Sequence, residues 1–164
     1  SDLAGYRYGF YHGYDTATQF DGDGQHDAKY LAGMAKTLES ENADMVIGSR
    51  FIEKEGFQSS SGRRAGIKYF TGLIRILTHK TITDPTSGMR MCNRKIMAEF
   101  TVDYPRDYPD PESVVTILKK KYKVLEVPVI MRERMEGKSS INLKAGFYYM
   151  IKVSLAMIIA RFKR

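Results

Sequence analysis

Four short strand-like segments are each separated from the next by helical sequence, and this alternation limits the fold of the 164-residue chain more than any other feature. The strand signature falls on Thr16–Phe20, Asp44–Gly48, Met89–Cys92 and Lys123–Met131. Helical spacing marks Leu3–His12, which Gly13 ends, and a stretch from a capping Asp27 to about Ser40. It also marks Arg63–Thr78, a helix to Phe100 capped by Asn93, Glu112–Lys121 and Asn142–Phe162. A chain so arranged is expected to fold as an α/β domain, a mainly parallel sheet with flanking helices. Asp44–Gly48 is apolar enough for burial on both faces, and Pro128 favours an edge position for the last strand.

Ligands of such sheets bind beyond the carboxyl ends of the strands. There the first strand runs straight into Asp21-Gly22-Asp23-Gly24-Gln25-His26. Two carboxylates and the Gln25 amide offer oxygen ligands alone, which favours Mg²⁺ or Mn²⁺ over zinc and leaves positions open for a diphosphate. An EF-hand is excluded, because His26 and Ala32 stand where its loop needs glycine and glutamate. A haloacid-dehalogenase-like phosphatase is a competing reading, with Asp21 as nucleophile. Gln25 departs from that pattern, and no later acidic pair follows a strand. Lone Asp-Gly-Asp loops also serve simply to cap turns.

Charge divides the chain. The formal net charge is +7, but residues 1–60 sum to −5 and residues 61–164 to +12. An acidic front suits a metal site and a basic back suits an anionic partner. The basic residues form no recognisable nucleic-acid motif with exposed aromatics, so nucleic acid is not an expected partner. A non-catalytic basic module that binds anionic lipid remains a second alternative. Cys92 is the single cysteine, which excludes a disulfide framework and points to a reducing compartment. The opening Ser1-Asp2-Leu3-Ala4-Gly5 has no signal-peptide character.

Six segments fall in one order: Phe20–Asp27, Ile47–Phe51, Asp84–Arg90, Asp107–Glu112, Val127–Arg134 and Gly137–Ser140. Together they resemble the family 2 glycosyltransferases of GT-A (Rossmann-like) fold, close to the dolichyl-phosphate mannose synthase-like branch. The resemblance implies inverting transfer of a sugar from a nucleoside diphosphate-sugar to a polyprenyl phosphate or a glycan hydroxyl. By the same resemblance, Asp21, Asp23 and Gln25 hold the metal. Arg50 opens a loop over donor and acceptor that ends near Arg63 or Arg64, and Asp84, Ser87, Gly88 and Arg90 line the pocket. Asp110 and Glu112 stand where a general base would be, although Asp110 before Pro111 also reads as a helix N-cap. Arg132, Arg134 and Ser139 match the basic loop near the phosphates. A hydroxyl acceptor needs a carboxylate base, whereas a lipid phosphate needs only cations such as Arg132 to position it.

The family's fold has a strand-helix-strand unit ahead of the Asp-x-Asp strand, and only about 20 residues precede Asp21 here. The expectation is therefore an N-terminally incomplete domain over 1–141, inactive or weak alone, with an exposed sheet edge that favours self-association into a homo-oligomer. Residues 142–164 form the second part, an apolar helix interrupted between Ala145 and Ala160 only by Lys152 and Ser154. That is marginal for a span and fits better a helix lying on a membrane surface, with packing against its own domain as the alternative. The location expected is cytoplasmic, at the inner face of the membrane, as in the making of cell-envelope polysaccharide.

Overall fold

A computed structural model describes residues 2–22, 24–56, 60–105, 109–132 and 143–163, the side chains of 143–145 excepted. In chain order the elements are α1 (Asp2–Tyr11), β1 (Thr16–Gln19), α2 (Tyr30–Ser40), β2 (Met45–Ser49) and α3 (Ser61–Thr78). They continue with β3 (Arg90–Asn93), α4 (Arg94–Val102), α5 (Pro109–Lys119), β4 (Val124–Pro128) and α6 (Leu143–Phe162). The α/β class is as expected, and the arrangement fits a GT-A type fold.

The sheet order is β1-β3-β2-β4. Only β2 and β4 run parallel; β3 is antiparallel to both β1 and β2. The expected parallel majority is therefore corrected to a mixed sheet among the described residues. The cause lies after α3, where the chain does not cross back to the start of β2. It turns instead at the end where β2 leaves the sheet: the Gly48 N–H donates to Met89 C=O at 2.9 Å. It then enters β3 pointing the opposite way. Pro128 ends β4, which does lie at an edge.

β2 is buried throughout, and its side chains alternate between two apolar layers. Met45 and Ile47 join Phe70, Ile74, Ile96, Phe100, Val114, Ile117, Val153 and Met157 beneath α3, α4, α5 and α6. Val46 joins Met34, Leu38, Met89, Met91 and Val129 beneath α2. Cys92 is buried in the first layer, and burial pushes its thiol up to about 12, which makes it an inert core group.

Helix starts differ from the sequence reading in three places. α5 begins at Pro109 rather than Glu112, because proline in a first turn gives up an N–H that had no partner there. Asp110 is thus a first-turn residue, not a cap. Asp27 precedes α2 by three residues and caps a turn instead, its carboxylate accepting from the Lys29 N–H at 3.0 Å. The Asn93 cap is as read: it accepts from Ile96 N–H at 3.1 Å. α3 begins at Ser61 rather than Arg63, capped by Ser60, which accepts from Arg63 N–H at 3.4 Å, so Arg63 lies in its first turn at the far end of the loop that Arg50 begins.

α6 packs on α3 and α5 through Val153, Met157 and Ala160. Its outward face is equally apolar, with Phe147, Ile151, Leu155, Ile159 and Phe162 exposed. Among the described residues no helix is long and apolar enough to cross a membrane. Met157→Ala should cost about 2–4 kcal/mol by opening a core cavity, whereas Ile159→Ala on the outer face should change stability by less than ~0.5 kcal/mol. Urea unfolding of the two variants measures the difference.

Candidate active site

The reversal of β3 gathers the sequence-predicted residues at one edge of the sheet. Asp21 follows β1, Arg50 follows β2 and Arg132 lies beyond β4, while the Asp84–Met89 segment leads into β3 from the same edge. Asp110 joins them from the first turn of α5.

At the centre Arg50 and Asp84 form a buried ion pair. Arg50 Nε and Nη2 donate to the two carboxylate oxygens of Asp84, each at 2.6 Å, and the Arg50 N–H adds a third bond at 3.2 Å. Asp84 is fully buried and Arg50 is 3% exposed. A bidentate fork of this kind supplies strength and geometry together. Arg50 is therefore engaged within the protein, and its Nη2 also reaches Thr86 Oγ1 at 3.2 Å.

Beneath this pair lies Glu126, a residue the sequence reading missed. Its carboxylate accepts from the N–H groups of Thr83 and Asp84 at 2.8 and 2.9 Å, and from Thr83 Oγ1 at 3.0 Å. Burial, opposed by these bonds, raises its carboxyl above the ordinary range. A single acidic residue inside Val124-Leu125-Glu126-Val127 was the signal that could have found it, since a charge in an apolar strand needs a local use.

Arg90 differs from its expected place in the pocket lining. Its guanidinium donates to the carbonyls of Ser87, Pro85 and Asp110 at 2.8, 2.6 and 2.8 Å, and to Ser113 Oγ at 3.0 Å. With 2% exposure it braces the Asp84–Met89 segment against α5 from inside. Ser87 is likewise a strut, its hydroxyl donating to Gly48 C=O at 2.6 Å.

The Asp110 side chain is 31% exposed. Its Oδ1 accepts from Gln19 Nε2 at 3.1 Å and lies 3.8 Å from Arg90 Nη2. Burial raises its carboxyl above the ordinary value, Arg90 and Gln19 pull it down, and the charge of Asp21 pushes it up. Glu112 is half-buried in the same helical turn.

Asp21 is half-exposed at the mouth of the site. Gly88 is pressed so closely against it that a Cβ there would overlap the carboxyl carbon and both oxygens. Gln25 is buried, and its amide donates to Arg132 C=O at 3.1 Å, while Arg132 N–H donates to Gln25 C=O at 2.9 Å. The loop after β1 and the end of β4 are thereby tied together. The Arg132 side chain extends outward to Asp27 at 2.6 Å. The carboxyl of Asp27 is held below its ordinary range, foremost by the Lys29 N–H. Asp23, Arg134 and Ser139 lie outside the described residues. Among those described, no three His, Cys, Asp or Glu side chains converge as a ligand set. The oxygen chemistry of Asp21 and Gln25, with the Gly88 backbone fixing the Asp21 carboxylate, still suits a hard cation.

This fold is a mixed α/β domain of GT-A type. The chain belongs to glycosyl transferase family 2, whose sequence model matches residues 14–101, more than half of its length. It is 26% identical over 144 residues to the undecaprenyl-phosphate mannosyltransferase of Micrococcus luteus, covering 85% of this chain and 58% of that protein. It is 28% identical over 144 residues to an uncharacterised protein of Methanocaldococcus jannaschii, covering 85% of this chain and 59% of the relative. The chain thus spans less than two thirds of the length of these curated relatives.

Two outcomes follow from this geometry. Gly88→Ala should displace Asp21 and weaken Mn²⁺ binding by about tenfold, read by the loss of free-ion signal in electron paramagnetic resonance. Asp110 has a raised carboxyl, so its charged form opposes folding at neutral pH. Asp110→Asn should therefore raise Tm by a few degrees at pH 7, with the gain vanishing as acid protonates the wild-type group. Thermal melts of both proteins from pH 7 down to about pH 4 check the sign.

Proposed function

We propose that this chain is the catalytic and acceptor part of a glycosyltransferase that moves a sugar, with inversion, from a nucleoside diphosphate-sugar to a polyprenyl phosphate. The observation that carries the reading is the meeting at one sheet edge of the Asp21 loop, the braced Asp84–Met89 segment and the Arg132 end of β4. The printed activity of the Micrococcus luteus relative favours a lipid phosphate.

Asp21, with Asp23 and Gln25, would hold Mg²⁺ or Mn²⁺, whose charge would offset that developing on the leaving diphosphate. The protein's own groups supply the rest. The Arg50–Asp84 pair and Glu126 keep the Asp84–Met89 wall rigid, so that donor and acceptor meet with little reorganisation. Arg132 brings an exposed cation to the rim, where it can exchange Asp27 for a phosphate. A phosphate monoester is already ionised near neutral pH, so this route needs no general base. The exposed apolar face of α6 supports contact with a membrane surface, where such a lipid resides. A reading with a glycan hydroxyl acceptor is favoured by Asp110 alone, whose raised carboxyl beside Asp21 is suited to accept a proton.

The test is transfer of labelled sugar from a nucleoside diphosphate-sugar to undecaprenyl phosphate, with and without Mn²⁺. Asp23→Ala should lower turnover by about 10²-fold or more, in line with loss of a principal charge stabiliser. Metal-dependent turnover left intact would overturn the assignment. Asp110→Asn with Glu112→Gln should spare transfer to the lipid phosphate; transfer to a glycan hydroxyl in its place, crippled by the same pair, would favour the hydroxyl chemistry.

A further inference from the structure

His26 is the buried polar group at this edge that the proposed mechanism does not use. Its side chain is 1% exposed, and its Nε2 has no hydrogen-bond partner among the described residues. Such an orphan is uncommon, because burial removes water as the alternative partner. The ring lies beside Phe20, with centroids 5.7 Å apart, and the residue follows Gln25, whose backbone and amide are both tied to Arg132. Anchored this way, the imidazole directs Nε2 toward Asp21, whose Oδ2 is 3.7 Å distant. Closing that gap by somewhat under 1 Å makes a hydrogen bond of ordinary length.

Asp21 is therefore confined on two sides. The backbone of Gly88 closes one flank so tightly that no side chain fits there. His26 stands at another, and half of the Asp21 side chain is exposed to solvent. Each rotamer of a carboxylate at a loop tip offers a ligand oxygen in a different place. A donor fixed in the wall favours one of them. Ligand carboxylates and imidazoles in metal sites are commonly oriented by such outer hydrogen bonds.

We propose that His26 is a positioning residue for Asp21: its Nε2–H donates to one carboxylate oxygen and turns the other toward the cation. The inference rests on the reading of Asp21 as a cation ligand. It assigns His26 neither contact with the cation nor proton transfer in the reaction.

Two measurements on the chain test it. Imidazole ¹⁵N spectra of the metal-free protein should show His26 with a proton at Nε2, with that resonance shifting in Asp21→Asn. A bare Nε2 with the proton on Nδ1 overturns the proposal. Mn²⁺ alone, titrated by electron paramagnetic resonance, should bind His26→Phe about tenfold more weakly than wild type, since Phe fills the space without a donor. His26→Gln, which keeps an N–H donor at the end of its side chain, should recover most of that loss. Thermal melts without metal establish that both variants fold. Unchanged affinity in His26→Phe, with binding lost in Asp21→Asn, overturns the positioning role alone. Unchanged affinity in both variants overturns the cation reading beneath it.

Discussion

The buried pairing of Arg50 with Asp84 is the interaction on which the rest of the site depends. Each partner belongs to a different strand boundary, Arg50 to the exit of β2 and Asp84 to the approach to β3. Neither charge reaches water, so each is costly without the other, and removing one partner of such a pair typically costs about 3–5 kcal/mol. Around it the polar atoms are satisfied in sequence: Glu126 takes the Thr83 and Asp84 N–H groups, and Thr83 Oγ1 lies 2.7 Å from Ser49 Oγ. A network of this kind has few alternative arrangements, and the wall it makes is stiff.

Much of the fold was legible in the sequence for simple reasons. Element type follows from apolar spacing, and a cap such as Asn93 is local chemistry. The edge position of β4 followed from one proline, and the two-sided burial of β2 from its composition. The direction of β3 was not legible, because a helix between two strands is equally present whether or not the chain crosses back. What decides it is the Gly48–Met89 bond and the Arg50–Asp84 pair, contacts between segments about 40 and 34 residues apart. Periodicity holds no information at that range.

The site divides the same way. Asp21, Asp110 and Arg132 do arrive at one edge, as their motif order implied. Arg50, Ser87 and Arg90 also arrive there, but as internal braces: all three are buried and bonded to the protein. Sequence order identifies residues a site needs without distinguishing those that face the ligand from those that hold the wall. Glu126 and His26 were passed over because neither belongs to a spacing that chemistry demands. Their significance lies in which backbone and side-chain groups the fold places beside them.

The reversed strand has a consequence for how this molecule loses competence. Three walls of the site follow strands, but the Asp84–Met89 wall precedes one, and it is held by the place of β3 between β1 and β2 as well as by Arg50 and Glu126. If β3 separates from β2, the Gly88 flank of Asp21 and the Arg90 brace on α5 lose their base, while Asp84 keeps its bonds to Arg50 and Glu126. The free energy of opening that one strand pairing sets the fraction of molecules with a working edge, and a ligand gripping the edge raises it in turn.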